Sequence, residues 1–392
     1  MQAPTCRRNT MEYVEPIEAR GNVGLPSIRD AAFSSHPSTH RHRRVTPQPI
    51  DDGEAPDDPP LVSVVIPTHD RPVELRGAVR SVLAQTYEPI EVLVVDDSSR
   101  VPAREVLAGM TGVEGRNGSR EKGPRNAAPT VERVDVLRFE ENRGGSAARN
   151  AGIEAANGSY VAFLDDDDRW DPAKLEQQVA RIEAEPADVG LCYTGVVQLD
   201  ADGRVNAVNP ATAEGSLTRT LLTVNVVGTI SSALVRREVV ESVGGLDERF
   251  PSWQDWAFYV RVSESYRFCA IDEPLVVRHN AGDDQLSGDY WTKRDETAPL
   301  FRETFGPLAA RYGRSFEQRF DAYVEYHLGL SAIRAGEFSA ARGHFLAAMR
   351  RYPRAPIFAC YLGAVAGGRL TYVPLYRLGS YVPIRAVKRA LQ

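Results

Sequence analysis

A chain of 392 residues, 42% hydrophobic and 26% charged, has the balance of an ordinary globular protein and is long enough for two structural units. Its net charge of -6 argues against a nucleic-acid partner, which needs a concentrated basic face. The cysteines, Cys6, Cys192, Cys269 and Cys360, are widely spaced without a CxxC pair, which argues against a disulfide framework or zinc knuckle and fits a reducing cytoplasm.

Residues 1–60 are rich in Pro, Arg, Asp and Ser, end in an acidic proline-rich run, and show no apolar periodicity. Such a segment buries too little surface to offset its ordering entropy, and a disordered leader is expected. No charged start followed by an apolar run marks a signal peptide. The most apolar later stretch, 357–366, falls short of the roughly 20 residues of a membrane span. The expected location is the cytoplasm, with peripheral contact at the cytoplasmic membrane face as a further option.

Order is predicted from Leu61. The β-branched run at 62–66 suits a buried parallel strand. A helix follows, with Asp70 as N-cap and Leu75, Val79, Val82 and Leu83 on one face. A second strand is read at 90–95, a loop at 111–129, a third strand at 134–139, a helix at 146–156 and a fourth strand at 160–164. Asp171-Pro172 starts another helix, with an N-cap and a proline at the first helical position. Further strands are read at 191–199 and 230–235, a helix at 255–265, and an all-helical final stretch. The alternation predicts an α/β fold, a Rossmann-like mainly parallel sheet flanked by helices, followed by a C-terminal α-helical region.

Ligands of open parallel sheets bind beyond the carboxyl ends of the strands. Here those ends are Pro67-Thr68-His69-Asp70, Asp96-Asp97-Ser98-Ser99, Asn142-Arg143-Gly144-Gly145 and Asp165-Asp166-Asp167-Asp168. Carboxylates gathered at one crevice repel one another unless a cation neutralises them. Oxygen-only ligands suit Mn²⁺ or Mg²⁺, held by carboxylates together with substrate phosphates. A metal there can absorb the charge developing on a departing nucleoside diphosphate.

These motifs, together with Ser63 to Thr68, Ala148-Arg149-Asn150, Trp170 and Pro172-x-Lys174-Leu175-Glu176-x-Gln178, resemble the family 2 glycosyltransferases, which have the GT-A fold. The resemblance runs from Leu61 to His279. It implies that Pro67, His69 and Asp97 line the nucleoside pocket, with Asp97 on the base and Arg149 near the diphosphate. It further implies an Asp-x-Asp pair in which Asp165 meets the ribose and Asp167 the metal; the register over the four acids stays open by one, with Asp166 the alternative. Pro251-Ser252-Trp253-Gln254-Asp255-Trp256 resembles the family's Glu-Asp motif, with Gln254 in place of Glu, and implies Asp255 as the general base; a helix N-cap is a compatible second role for it. His279, after a strand-like stretch, is a candidate third metal ligand.

The expected organisation is a leader over 1–60, a GT-A domain over 61–290 and a helical region over 291–392. Within the last, 321–353 resembles a single tetratricopeptide repeat, which needs a neighbour to cover its face, and a basic amphipathic end suits an anionic membrane. The expected activity is inverting transfer from a UDP- or GDP-sugar to a surface glycan or lipid-linked acceptor. The alternatives are a sugar nucleotidyltransferase, disfavoured because no glycine-rich phosphate loop follows strand one, and a scaffold acting through the helical tail.

Overall fold

The computed structural model describes residues 58–110, 133–200, 202–279, 289–368 and 370–372. The expected leader up to residue 57, the loop at 111–129 and the basic end beyond Tyr372 lie outside them. The strands are β1 (Val62–Thr68), β2 (Ile90–Asp96), β3 (Arg133–Arg138), β4 (Tyr160–Phe163), β5 (Asp168–Trp170), β6 (Val189–Leu199), β7 (Val205–Asn209), β8 (Ala233–Arg236) and β9 (Arg267–His279). They form one sheet in the order β3-β2-β1-β4-β8-β6-β9-β5, with β7 paired to β6.

The sheet is parallel across β3-β2-β1-β4 and between β6 and β9. It is antiparallel at β4/β8, β6/β8, β6/β7 and β5/β9, so it is mixed. The first half carries the strand–helix alternation that parallel crossovers require; beyond β4 that alternation lapses, and antiparallel pairs need no crossover helix. Both sheet faces are covered, which is why β1, β2 and β4 are buried at every position. Val62, Val64 and Ile66 join one core with Leu75, Val79 and Leu175, while Val65 joins the other with Phe163 and Phe258. Cys192 and Cys269, remote in sequence, are register partners on β6 and β9, and both are free.

Three local expectations change. Asp70 is not the N-cap: the Pro72–Leu83 helix starts from Arg71, and the Asp70 carboxylate instead takes the Arg100 backbone and guanidinium. The helix expected at Asp171-Pro172 starts at Lys174, because Asp171 first closes a turn by accepting from Ala173 N at 2.9 Å. Ile230–Ser232 is a 3-10 turn, held by the Thr229 and Ser232 hydroxyls, ahead of β8.

A knot behind β1 fixes its start. Ser63 Oγ donates to Glu91 at 2.6 Å and accepts from Gly158 N at 2.8 Å, while Asn157 donates to the same carboxylate. A Cβ on Gly158 would lie 2.5 Å from Leu61 O and 2.8 Å from Ser63 N, backbone atoms that cannot step aside. Gly158→Ala is therefore expected to cost about 2–3 kcal/mol by overpacking, checked by chemical denaturation. An unchanged midpoint would contradict the tight fit.

The helices Ala298–Ala310, Arg314–Arg334, Phe338–Arg351 and Pro356–Ala364 complete the described chain. Phe301, Phe305, Phe320, Val324 and Leu328 enter the same core as Phe163 and Trp256, so the helical region packs on the sheet domain. The stretch resembling a tetratricopeptide repeat forms a helical hairpin that turns at Gly336 (φ +77), and Gly329 faces the Phe345 ring so closely that a Cβ would meet it at 2.6 Å. Glu325 and His344 join across this hairpin at 2.8 Å, and Tyr290 OH meets His344 Nε2 at 2.9 Å. Among the described residues no helix is long and apolar enough to cross a membrane.

His327 anchors the packing, its Nε2 donating to Thr223 O at 2.9 Å while its ring meets Trp256 edge-on. Burial pushes its pKa down from 6.5 to about 4, opposed by the Thr223 bond. Between those values the unfolded chain binds the extra proton, so stability falls as pH drops below 6.5, by about 2 kcal/mol at pH 5. Melting curves at pH 7.5 and 5 are expected to show wild type losing more than His327→Gln. Equal losses would contradict a neutral buried imidazole.

Candidate active site

The carboxyl ends of β1, β2 and β4 and the start of the Gln254–Ser263 helix meet at one crevice. Three non-glycine residues with positive φ lie here: Asp70 (φ 55) after β1, Ser98 (φ 64) after β2, and Trp253 (φ 60) as N-cap of that helix. Such conformations persist where surrounding bonds over-determine them. At Asp70 those bonds are Asp70 N to Ser99 Oγ at 3.0 Å and Arg100 N to Asp70 Oδ1 at 2.7 Å.

Asp96 and Asp97 divide the work at the end of β2. Asp96 is fully buried, accepts Ser99 N and Ala103 N from the stretch that follows β2, and pairs with Arg138 at the end of β3. Burial would raise its pKa, but these donors together hold it below the ordinary carboxylate value. Asp97 accepts Arg143 N at 2.7 Å and Gly144 N at 2.8 Å, one on each oxygen. Its carboxylate thus fixes the turn that launches the Gly145–Ala155 helix and, through it, Arg149. His69 Nδ1 donates to Asp97 O at 2.6 Å, beside buried Pro67. Pro67, His69 and Asp97 are therefore neighbours, as expected from the sequence.

Arg149 forms an ion pair with Asp165. The next residue, Asn150, donates its side-chain amide nitrogen to Leu246 O, accepts from Leu246 N on its amide oxygen, and also reaches Glu248 at 2.9 Å, which seats the Gly244–Glu248 stretch against this helix. Asp166 stands outside the closest group of acid oxygens: Thr68 Oγ1 donates to it at 2.7 Å and Arg71 at 3.2 Å. Burial still pushes its carboxyl up to about 6, against those two donors.

Asp167 meets Arg71 at 3.0 Å, and Asp168, 1% exposed, opens β5 directly opposite Arg278 of β9. Oxygens of Asp165, Asp167 and Asp168 lie within 4.8 Å of one another. Burial first, then the neighbouring carboxylates, raises both Asp167 and Asp168, the latter strongly. Acids gathered this closely, with Asp168 buried and the other two partly buried, could hold a hard divalent cation. His279 stands beside this group rather than in it, its Nδ1 donating to the Asp167 carbonyl at 3.1 Å.

Asp255 lies in the first turn of its helix, not at the N-cap, and accepts Trp256 N at 2.7 Å. Burial pushes its carboxyl up to about 6; the Trp256 amide, Arg278 and Arg149 oppose the rise and Asp165 adds to it. Gln254, which stands where the motif has Glu, uses its amide on Pro251 O at 3.1 Å.

Sequence reasoning missed Arg71, Tyr259 and Arg278, and gave Asp168 no role of its own within the run of four acids. The available signal for Asp168 was its alternation with Trp170, both buried, in a strand too short to read as one.

A mixed sheet with this crevice, flanked by helices, is the GT-A architecture. The crystal structure of S. aureus TarS 1-349 in complex with UDP-GlcNAc shares it, with a TM-score of 0.52 at 16% identity over 81% of this chain and 92% of that one. Residues 63–244 match the glycosyl transferase family 2 model, which identifies that stretch as a family 2 glycosyltransferase domain. The putative teichuronic acid biosynthesis glycosyltransferase TuaG of Bacillus subtilis is 37% identical over 120 residues, 31% of this chain and 41% of its own. An uncharacterized glycosyltransferase of Haemophilus influenzae is 25% identical over 218 residues, 55% of this chain and 67% of its own. The chain thus spans less than half the length of the first of these relatives.

Proposed function

We propose that this protein is an inverting glycosyltransferase that moves a sugar from a UDP- or GDP-sugar to a hydroxyl on a glycan or lipid-linked acceptor. The observation that carries the reading is the convergence of Asp165, Asp167 and Asp168 within 4.8 Å at the end of β4, in a crevice that also holds Arg149 and Asp255. The family match, and the nucleotide sugar bound by the TarS neighbour, support it.

Asp165, Asp167 and Asp168 would hold Mn²⁺ or Mg²⁺, which offsets charge on the departing diphosphate. The chain supplies the rest. Pro67, His69 and Asp97 border the nucleoside, Asp165 and Asp166 the donor's ribose side, and Arg149 and Arg71 the diphosphate. With a pKa near 6, Asp255 is ionised at pH 7 and accepts the acceptor's hydroxyl proton. The acceptor oxygen then bonds to the anomeric carbon as the bond to the diphosphate oxygen breaks, and the nucleoside diphosphate leaves. One displacement inverts the carbon.

The test is nucleoside diphosphate release from a panel of UDP- and GDP-sugars. Turnover of one donor with Mn²⁺, abolished by EDTA, is expected. No turnover of any donor by folded protein would overturn the reading.

A further inference from the structure

Buried polar atoms without a hydrogen-bond partner gather at the crevice. Among the described residues, Ser146 Oγ, Arg149 Nε, Asp168 Oδ1 and Tyr259 OH are four of them. Buried hydroxyls are normally bonded, since stranding one forfeits its hydration without return. Tyr259 is the sharpest case: it is fully buried, and its hydroxyl finds no acceptor.

Tyr259 lies one helical turn after Asp255, so the two share a helix face. The charges of Asp255, Asp165 and Arg149 all act on its phenol. Burial, reinforced by the two carboxylates, holds that phenol well above its ordinary range, so it keeps its proton at any working pH. A neutral phenol both accepts and donates one bond. On the Gly145–Ala155 helix, Ser146 and Arg149 sit three residues apart, each with an unpartnered atom.

The Arg149–Asp165 pair explains what the hydroxyl awaits. Each is the other's ion-pair partner, and Arg149 is only 14% exposed in its side chain. A donor or cation that engages Asp165 loosens that pair and leaves a buried guanidinium in need of an acceptor.

We infer that Tyr259 is a positioning residue of the transfer reaction: its hydroxyl accepts from Arg149 and donates to Asp255 when the donor is seated, which aims the base at the acceptor. This inference rests on the transferase reading. It extends that reading to a residue whose side chain is part of the core.

Tyr259→Phe removes one oxygen and keeps the ring that packs beside Phe258. If the hydroxyl is merely a stranded atom, the variant melts at the same or a higher temperature and turns over normally. Positioning predicts a fall in kcat for nucleoside diphosphate release of about tenfold or more, with KM for the sugar nucleotide within about threefold and no loss of thermal stability. It also predicts that the effect largely disappears in an Asp255→Asn background, since both changes act on one group. A kcat within about twofold of wild type, or full additivity with Asp255→Asn, overturns the inference. Wild-type protein inactive on every sugar nucleotide would instead sink the transferase reading beneath it.

Discussion

Asp255→Asn is expected to lower turnover by about 10³-fold while leaving nucleotide affinity within a few fold. The substitution keeps size and the bond from Trp256 N, yet removes the only function a general base has, its proton affinity; such groups contribute on the order of 10²–10⁴ in rate. The wild-type pH profile carries the same signature. Because burial sets the Asp255 carboxyl at about 6, kcat/KM rises with pH through that value as the base ionises, and the acid limb is expected to vanish in the variant. Gln254 bears on the magnitude: a glutamate there would place another negative charge next to Asp255 and push its pKa further up. Steady-state rates from pH 5 to 8.5 decide the matter, and an Asp255→Asn enzyme with near wild-type rates would remove it from the chemistry.

The second large effect is expected at Asp168. Its carboxylate is buried, raised well above the usual range by burial and by Asp165 and Asp167, and has one oxygen without a partner. A carboxylate buried among like charges is destabilising unless something neutralises it. Asp168→Asn removes that repulsion and also removes a cation ligand. Without metal the variant is therefore expected to melt at or above the wild-type temperature. Addition of Mn²⁺ raises the wild-type melting temperature, by an amount equivalent to about 2.7 kcal/mol at a hundred times its dissociation constant, and leaves the variant nearly unmoved. Turnover falls by about 10²-fold or more, the scale of several kcal/mol of lost charge stabilisation. A Mn²⁺-responsive variant would place the cation on other groups.

Much of this site was legible because each contributing motif is local. Val62 to Ile66 and Val161 to Leu164 read as buried strands, and the polar residues after them fall at the crevice because strand ends of a parallel sheet do. The helices were legible from spacing, apart from where two of them start, and Asp255 came from the resemblance of its segment to the family's Glu-Asp motif. What escaped depends on contacts distant in sequence. Asp96 and Asp97 are adjacent and alike in type, yet one is spent on its own loop and Arg138 while the other holds the amides of Arg143 and Gly144. Asp168 joins the acid group because β5 pairs with β9, more than a hundred residues on. Tyr259 reads as one more apolar face residue of a helix, and only the fold reveals that its hydroxyl has no partner there. The antiparallel half of the sheet was hidden for the same reason, since β8 and β6 carry no signal for direction.

The central claim, that the acid group at the end of β4 binds a nucleotide through a divalent cation, is tested most directly by calorimetry. UDP and GDP are titrated into wild-type and Asp167→Asn protein, with Mn²⁺ and then with EDTA. The account predicts tight binding of one nucleotide with Mn²⁺, lost with EDTA and lost in the variant. Folded wild-type protein that binds neither nucleotide, or binds one equally well with EDTA and without Asp167, would contradict it.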